Sequence, residues 1–337
     1  MKKIYLKTPY EKVTFFYYLL CHRCVCRIDA VLILHIATFF VLASCEKRNE
    51  EEANSPYISR IIEYMPAPGQ FINETGIGTL NATESIVGGI SGLVSLGGFG
   101  GYIIVGFDHT VMNDPENPFG VDFIVVGNAI TNSSEPGIVM VMADTNGNGI
   151  PDDGEWYELK GSRHDAASSI AHYAITYVNP GQPAGVAWTD NHENQGSVKV
   201  VPFHRQAYYP SAEYFPAYPQ DSITLHGTLI QAEIDSSNMQ FIRLYPPEYG
   251  YADTHPFTRD TDKITPDNPW TPEIEGNGGD AFDIDWATDA NGNPVTLKGI
   301  DFIKIYTAVN VNAGRLGELS TEICGIIDIA PEGDSGF

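Results

Sequence analysis

The sequence predicts an all-β protein, an antiparallel β-sandwich of jelly-roll-like kind with long loops and few short helices. Two observations carry that expectation. Beyond Tyr57 the chain divides into short runs rich in β-branched and aromatic residues, bounded by Gly, Pro, Asn and Asp. No segment keeps its apolar residues at helical spacing for three turns, so strands do not alternate with helices as a doubly wound parallel sheet requires. In chain order the runs are YISRIIEY (57–64), YIIVGFD (102–108), VDFIVVGNAI (121–130), GIVMVMAD (137–144) and EWYELKG (155–161). They continue with HYAITYV (172–178), SVKVVPF (197–203), ITLHGTLIQAEI (223–234), MQFIRLY (239–245), AFDIDWA (281–287) and VTLKGIDFIKIYTAV (295–309). Residues 81–87 and 166–171 are left for short helices. No linker interrupts the chain after Pro56, so residues 57–330 read as one domain with long insertions.

Composition narrows the function. Of 337 residues, 43 are acidic and 19 basic, a net charge of −24. Such a chain cannot neutralise a run of phosphates, which excludes a nucleic-acid partner, nor does its charge favour an anionic membrane surface. The apolar fraction, 43%, is enough for a full core and excludes a disordered polyelectrolyte.

The N-terminus reads as an export signal. Lys2, Lys3, Lys7, Lys12, Arg23 and Arg27 precede an apolar run from Ala30 to Ala43, which ends in Leu42-Ala43-Ser44-Cys45. A basic flank, a short apolar core and small residues before the break are the parts of a secretory signal. The core is too short to span a bilayer comfortably. The Leu-Ala-Ser-Cys ending resembles a bacterial lipobox, which makes residues 1–44 a basic extension plus signal peptide and Cys45 the lipidated residue. Membrane contact is then expected through that lipid alone. The basic segment exceeds what a signal needs, so the true start is expected further downstream. Its Cys21, Cys24 and Cys26 have incomplete spacing for a zinc site. Residues 45–56 form an acidic tether, and Glu50 to Glu52 resemble the surface-export signal of Bacteroidota lipoproteins, which places the protein on the outer membrane facing the cell exterior. Beyond Cys45 the remaining cysteine is Cys324, in the apolar run EICGIIDIA, expected to be a buried, inert thiol. An exported domain without disulfides needs a large core or another cross-link.

A metal loop supplies the candidate cross-link. Residues 144–155, DTNGNGIPDDGE, match the twelve-residue calcium pattern D-x-[DN]-x-[DN]-G-x5-E at every defined position. Calcium takes six to eight hard oxygens, and alternate residues of a tight loop point theirs inward. Asp144, Asn146 and Asn148 supply side-chain oxygens, Ile150 its carbonyl, and Asp152 and Glu155 further carboxylates. The flanking runs are strand-like, so a structural calcium ion is expected rather than a helical sensor, with affinity near the extracellular range of roughly 10⁻⁴–10⁻³ M. Residues 289–294, DANGNP, copy the first ligands but put Pro294 where the glycine belongs, and read as a hairpin turn. Asp283 and Asp285 are expected on one face of a strand, with Phe282, Ile284 and Trp286 on the other.

No catalytic constellation stands out. The nine histidines form no metal-ligand spacing, no G-x-S-x-G elbow is present, and GGFGG (97–101) is followed by neither helix nor Lys-Ser/Thr pair. Carboxylates abound, yet no pair is singled out for glycoside hydrolysis. A recognition surface is instead expected in aromatic, Pro-rich loops. The residues singled out are Trp188, Asp190, Tyr208, Tyr209, Tyr249, Tyr251 and Asp253, with Trp270 in a neighbouring stretch. Flat rings beside Asp and Asn suit sugar rings and other large planar ligands.

Several segments together resemble a family of bacterial, mostly Bacteroidota, cell-surface lipoproteins of poorly defined function. The matching pieces include EYMPAPGQFIN (63–73), VSLGGFGGYIIVGFDHTVMN (94–113), DFIVVGNAI (122–130) and EPGIVMVMADTNGNGIPDDGEWYELKGS (135–162). WTDN (188–191), YYP (208–210), GYAD (250–253), GGDAFDIDWATDANGNPVTLKGIDFIKIYTAVN (278–310) and LGELSTEICG (316–325) complete the set. The resemblance implies a β-sandwich surface protein, often encoded among outer-membrane nutrient-uptake genes, with no assigned activity. The leading expectation is therefore a ligand-binding protein, foremost for an extracellular glycan, with a TonB-dependent transporter as a further partner. Capture of a cobamide cofactor, glycan hydrolysis, and a purely adhesive or structural role are the alternatives.

Overall fold

A computed structural model describes residues 54–238, 240–258 and 264–330. The expected signal peptide, Cys45 and most of the acidic tether lie outside them. The described chain is all-β and sandwich-like. Its strands are β1 (Arg60–Met65), β2 (Val94–Ser95), β3 (Tyr102–Met112), β4 (Phe123–Val126), β5 (Gly137–Met142) and β6 (Tyr157–Leu159). They continue with β7 (Ile170–Val178), β8 (Val186–Asp190), β9 (Gln195–Val198), β10 (Ser222–Leu229), β11 (Glu233–Asp235) and β12 (Arg243–Tyr245). The last are β13 (Asp280–Phe282), β14 (Ala287–Thr288), β15 (Gly299–Thr307), β16 (Glu322–Ile323) and β17 (Gly325–Asp328). Helical structure among the described residues is confined to short 3₁₀ segments, Leu80–Ile86, Pro118–Gly120, Ile284–Trp286 and Gly314–Leu316.

Every strand pairing is antiparallel. The largest sheet has the order β1-β3-β15-β5-β6-β14, and a second has β10-β7-β8-β9. A three-stranded sheet, β13-β4-β17, and two ribbons, β11-β12 and β16-β2, complete the fold. Strand alternation builds the core. Ile103, Val105 and Phe107 of β3, Val139 and Val141 of β5 and Ile303 and Ile305 of β15 share one apolar cluster with Tyr173, Ile175 and Tyr177 of β7 and Ile223 and Leu225 of β10. The opposite face of the large sheet is also covered: Ile138 and Tyr306 join Ile230, Leu244 and Tyr251 in a second cluster. In β4, Phe123 and Val125 enter the first cluster while Ile124 and Val126 enter a third. Burial on both faces is why VDFIVVG reads as one unbroken apolar run.

Three expectations need correction. AFDIDWA is not a single strand, because the Asp283 carboxylate accepts the Asp285 N–H at 2.7 Å and turns the chain into the 3₁₀ segment Ile284–Trp286. Residues 166–171 form no helix; a turn there leads straight into β7, which starts at Ile170. SVKVVPF leaves its sheet after Val198, so most of it is loop. Residues 80–86 do form the expected short helix, of 3₁₀ type. Cys324 is half-buried beside the third cluster rather than buried within it.

The long loop between β9 and β10 is held down by its own aromatic rings. Tyr208, Tyr209, Phe215 and Tyr218 are buried in the main core. Tyr209 donates to Pro219 O at 2.7 Å and Tyr218 to Pro66 O at 2.7 Å. Asn73, with a left-handed φ of 65°, clamps the loop from below. Its Nδ2 donates to Ala207 O (2.7 Å) and Tyr209 O (2.8 Å), and its Oδ1 accepts the Ser211 N–H (2.9 Å). Asn73→Ala leaves those groups unpaired and places a Cβ-bearing, non-bonding residue at positive φ, so it is expected to cost on the order of 2–3 kcal/mol in urea unfolding. A change below about 0.5 kcal/mol, the range of an ordinary surface substitution, would show that the loop is held elsewhere.

Candidate functional site

The 144–155 loop leaves β5 and wraps around its first side chain. Asp144 Oδ1 accepts the N–H groups of Gly147 (2.7 Å) and Asn148 (3.1 Å), and its Oδ2 accepts that of Gly149 (2.7 Å). Gly147 and Gly149 sit at φ 71° and 73°, the left-handed conformation that glycine adopts without steric cost. Asn146 Oδ1 accepts the Asn148 N–H and Asn148 Oδ1 the Ile150 N–H, while the Asn148 amide donates to Asp152 Oδ1 at 3.1 Å. Asp144, Asn146, Asn148 and Asp152 are therefore linked in one hydrogen-bond network, an oxygen-rich set of the chemistry that a hard cation takes. Ile150 stands exposed, its carbonyl accepting the Asp152 N–H at 2.8 Å. Glu155 is exposed at the end of the loop. Asp153, which the motif leaves undefined, takes the Asn146 backbone N–H at 2.8 Å. The loop is fastened to the large sheet where Asp301 of β15 accepts the Asp144 N–H at 2.6 Å and the Thr110 hydroxyl of β3 at 2.6 Å.

The aromatic and acidic candidates fall into three places. Tyr208, Tyr209, Tyr251 and Asp253 are buried and serve packing, so they form no free surface in this structure. Tyr251 accepts the Arg163 N–H at 3.1 Å and lies against the His164 ring. Trp188 and Asp190 lie half-buried on β8. Asp190 accepts the Tyr173 hydroxyl at 2.8 Å and closes the turn to β9 by accepting the N–H groups of His192 and Asn194.

Tyr249 belongs to an aromatic platform of rings tilted 58–70° to one another, of which Trp270 is the exposed member. Its ring centroid lies 4.6 Å from that of Trp270 and 5.4 Å from that of Trp286, and the two indoles are 5.5 Å apart. Tyr249 and Trp286 are half-buried, while Trp270 is 56% exposed. Trp286 reaches the platform because Asp283 ends β13 and turns the chain. Its placement depends on that turn and is not visible in strand periodicity. Beside Tyr249 is a small cleft of about 20 Å³, room for a water or two, lined by Glu248, Tyr249, His255, Asp267, Asn268 and Asp280 among others. His255 Nδ1 is 3.0 Å from Asp280 Oδ1. Burial lowers the basicity of that imidazole, but the hydrogen bond and the Asp280 charge outweigh it and hold its pKa above the ordinary histidine value.

A second acidic grouping was not singled out in the sequence. Glu135, Asp253 and Glu322 bring their carboxylate oxygens within 4.8 Å of one another. Asp253 and Glu322 are buried and Glu135 is half-buried. No Lys, Arg or His forms an ion pair with the three among the described residues. Desolvation, reinforced by the Glu322 charge, pushes Glu135 and Asp253 well above the usual carboxylate range, and desolvation raises Glu322 as well. The sequence signal is weak: Glu322 follows Ser320 and Thr321 and only opens the apolar run that continues from Ile323.

The fold and these sites define an all-β, sandwich-like protein with an oxygen-rich loop and an exposed aromatic platform. Comparison of the chain with protein-family models finds no match, and comparison with curated proteins finds none.

Carboxylates whose folded-state pKa is raised stabilise the fold below their unfolded pKa, and that contribution is lost as pH rises through the folded value. Glu322→Gln removes one charge from the group, so its stability relative to wild type is expected to improve steadily as pH rises from 4 towards neutrality and above. Urea melts of both proteins at pH 5 and pH 8 test this; parallel behaviour at the two pH values would mean that the three groups do not share protons.

Proposed function

We propose that the protein is a lipid-anchored, calcium-stabilised surface protein that binds an extracellular glycan for nutrient uptake. The observation that carries the reading is the platform of Tyr249, Trp270 and Trp286, with Trp270 56% exposed. An exposed indole braced by two further rings is a costly surface to leave in water, and a sugar's C–H face covers it well. Polar groups stand beside it for the sugar hydroxyls. Glu248 and Asn268 line the adjacent cleft, and Asp283 and Asp285 precede Trp286 in sequence. The lipobox ending at Cys45 and the acidic run Glu50–Glu52 support the exterior location, and an outer-membrane TonB-dependent transporter is the partner that would take the ligand onward.

Calcium enters as a structural ion. Asp144, Asn146, Asn148, Asp152 and the Ile150 carbonyl would hold it, with Glu155 as the remaining carboxylate of the pattern. Bound there, it supplies charge neutralisation to a loop otherwise built of acidic and amide side chains. A structural role also suits the loop's attachment, through Asp301, to the central strand β15.

Two outcomes test the reading separately. The melting temperature of wild type is expected to rise in about 10 mM calcium relative to chelator, by an amount equivalent to about 1.4–2.7 kcal/mol at a ten- to hundredfold excess over Kd. In Asp144→Ala that calcium-dependent difference should vanish, whatever the variant's basal stability; identical wild-type melts in calcium and chelator would remove the ion from the account. On a glycan array, wild type should select a set of glycans and Trp270→Ala should weaken the best of them at least tenfold, about 1.4 kcal/mol. Unchanged binding by that variant would remove the platform.

A further inference from the structure

A second cavity, sharing no lining residue with the cleft under Tyr249, opens beside the four-stranded sheet. It has a volume of about 70 Å³ and is walled by Phe99, Tyr177, Trp188, Val309, Leu319 and Glu318. By the same measure one water needs roughly 10–15 Å³, so the space accepts a compact group of several heavy atoms. Phe99, Val309 and Tyr177 are fully buried and Trp188 is half-buried. The mouth is polar: Asn310 also lines the cavity and donates to the Tyr173 hydroxyl at 3.3 Å.

Glu318 sets the chemistry of this space. It is 4% exposed, and its Oε1 accepts the Gln70 N–H. Its Oε2 is buried with no hydrogen-bond partner among the described residues. A native fold leaves few buried polar atoms unpaired, and an unpaired carboxylate oxygen in a cavity wall points to a missing donor. Desolvation pushes the Glu318 pKa up to about 8, with the Glu322 charge adding to the rise. The other titratable groups whose fields reach it are Glu135, Tyr177 and Tyr208, and none of these supplies positive charge.

We propose that this cavity binds an alkylammonium group, seated beside the Glu318 carboxylate and walled by the rings of Phe99, Tyr177 and Trp188. A cation compensates the charge of a carboxylate that has no ion pair among the described residues, which a neutral hydroxyl does not. Aromatic rings attract a cation through their quadrupoles, the feature used by aromatic cages for methylated amines. The chain's net charge of −24 raises the local concentration of cations over anions. This site is independent of the glycan reading and stands or falls without it.

The test is a titration of the intact protein, followed by the indole N–H resonance of Trp188 and by calorimetry. Methylammonium and tetramethylammonium serve as free cations, and Nα-acetyl-lysine methylamide presents the same head on a peptide stem. Saturable binding of a cation in the millimolar range or tighter, weakened at least tenfold in Glu318→Gln, supports the proposal, and the tightest of the three names the source. Cation entry displaces the Glu318 proton, so tetramethylammonium affinity should rise with pH up to about 8 and then level off. Trp188→Leu, which keeps an apolar residue in the wall, should weaken the cations while leaving the Glu318 environment in place. No saturable shift up to about 50 mM, roughly fifty times a Kd of about 1 mM, would overturn the proposal. So would equal affinity in Glu318→Gln, or equal binding of the neutral isostere tert-butanol.

Discussion

The loops of this protein converge on one carboxylate. Asp253 is fully buried, and its Oδ1 accepts the N–H groups of Asn128 and Ala129, both at 2.9 Å, while its Oδ2 accepts that of Glu322 at 2.9 Å. One side chain thereby joins the exit of β4, the chain after Tyr251 and the start of β16. It adopts φ 58°, a conformation that Asp tolerates better than most residues because its short polar side chain bonds locally. The approach is close enough that a Cβ at Gly127 would stand 2.3 Å from Asp253 Oδ1, so residue 127 has to be glycine. Removing the carboxylate would free three backbone donors, of which those of Ala129 and Glu322 lie in the buried interior and need a partner there.

That junction explains why acidic side chains accumulate inside an acidic protein. Once Asp253 fixes the Glu322 backbone, the Glu322 side chain is delivered beside Glu135, and Ser320 donates to it across the turn. Glu318 lies in the preceding loop, pinned by Gln70, which reaches Leu316 O (2.8 Å) and Glu318 O (3.2 Å) through its own amide. The interior acidity is a product of chain geometry: the elements meet here and bring their carboxylates with them.

Much of the architecture was legible in the sequence. Strands buried on one face announced themselves by alternation, and β4 by an unbroken apolar run. At 144–155 the Asn- and Gly-rich spacing announced a tight loop, and Asp144 closes it by accepting the N–H groups of Gly147, Asn148 and Gly149. What could not be read was which rings face outward. Tyr208 and Tyr249 both sit in Pro-rich, aromatic loops, yet Asn73 of a distant segment clamps one against the core, and the other meets Trp270 and Trp286 near the surface. Trp286 was hidden because the Asp283 hydrogen bond ends a strand that composition would continue. Glu318 gave no sequence signal, because its isolation depends on an apolar wall assembled from β7, β8 and the segment after β15.

Trp188 and Gly196 face each other across β8 and β9, and a Cβ at Gly196 would meet the indole at 2.4 Å. The ring lies where it does because its neighbour has no side chain. The shape of the cavity wall is thus controlled by a residue outside the lining. In evolutionary terms this is an economical dial: a lineage acquiring alanine or serine at position 196 would tilt the indole and resize the cavity without touching Glu318, Tyr177 or Phe99. Divergence in what these proteins accept would then be written on an exposed edge strand, at a position that a comparison of pocket residues alone would pass over.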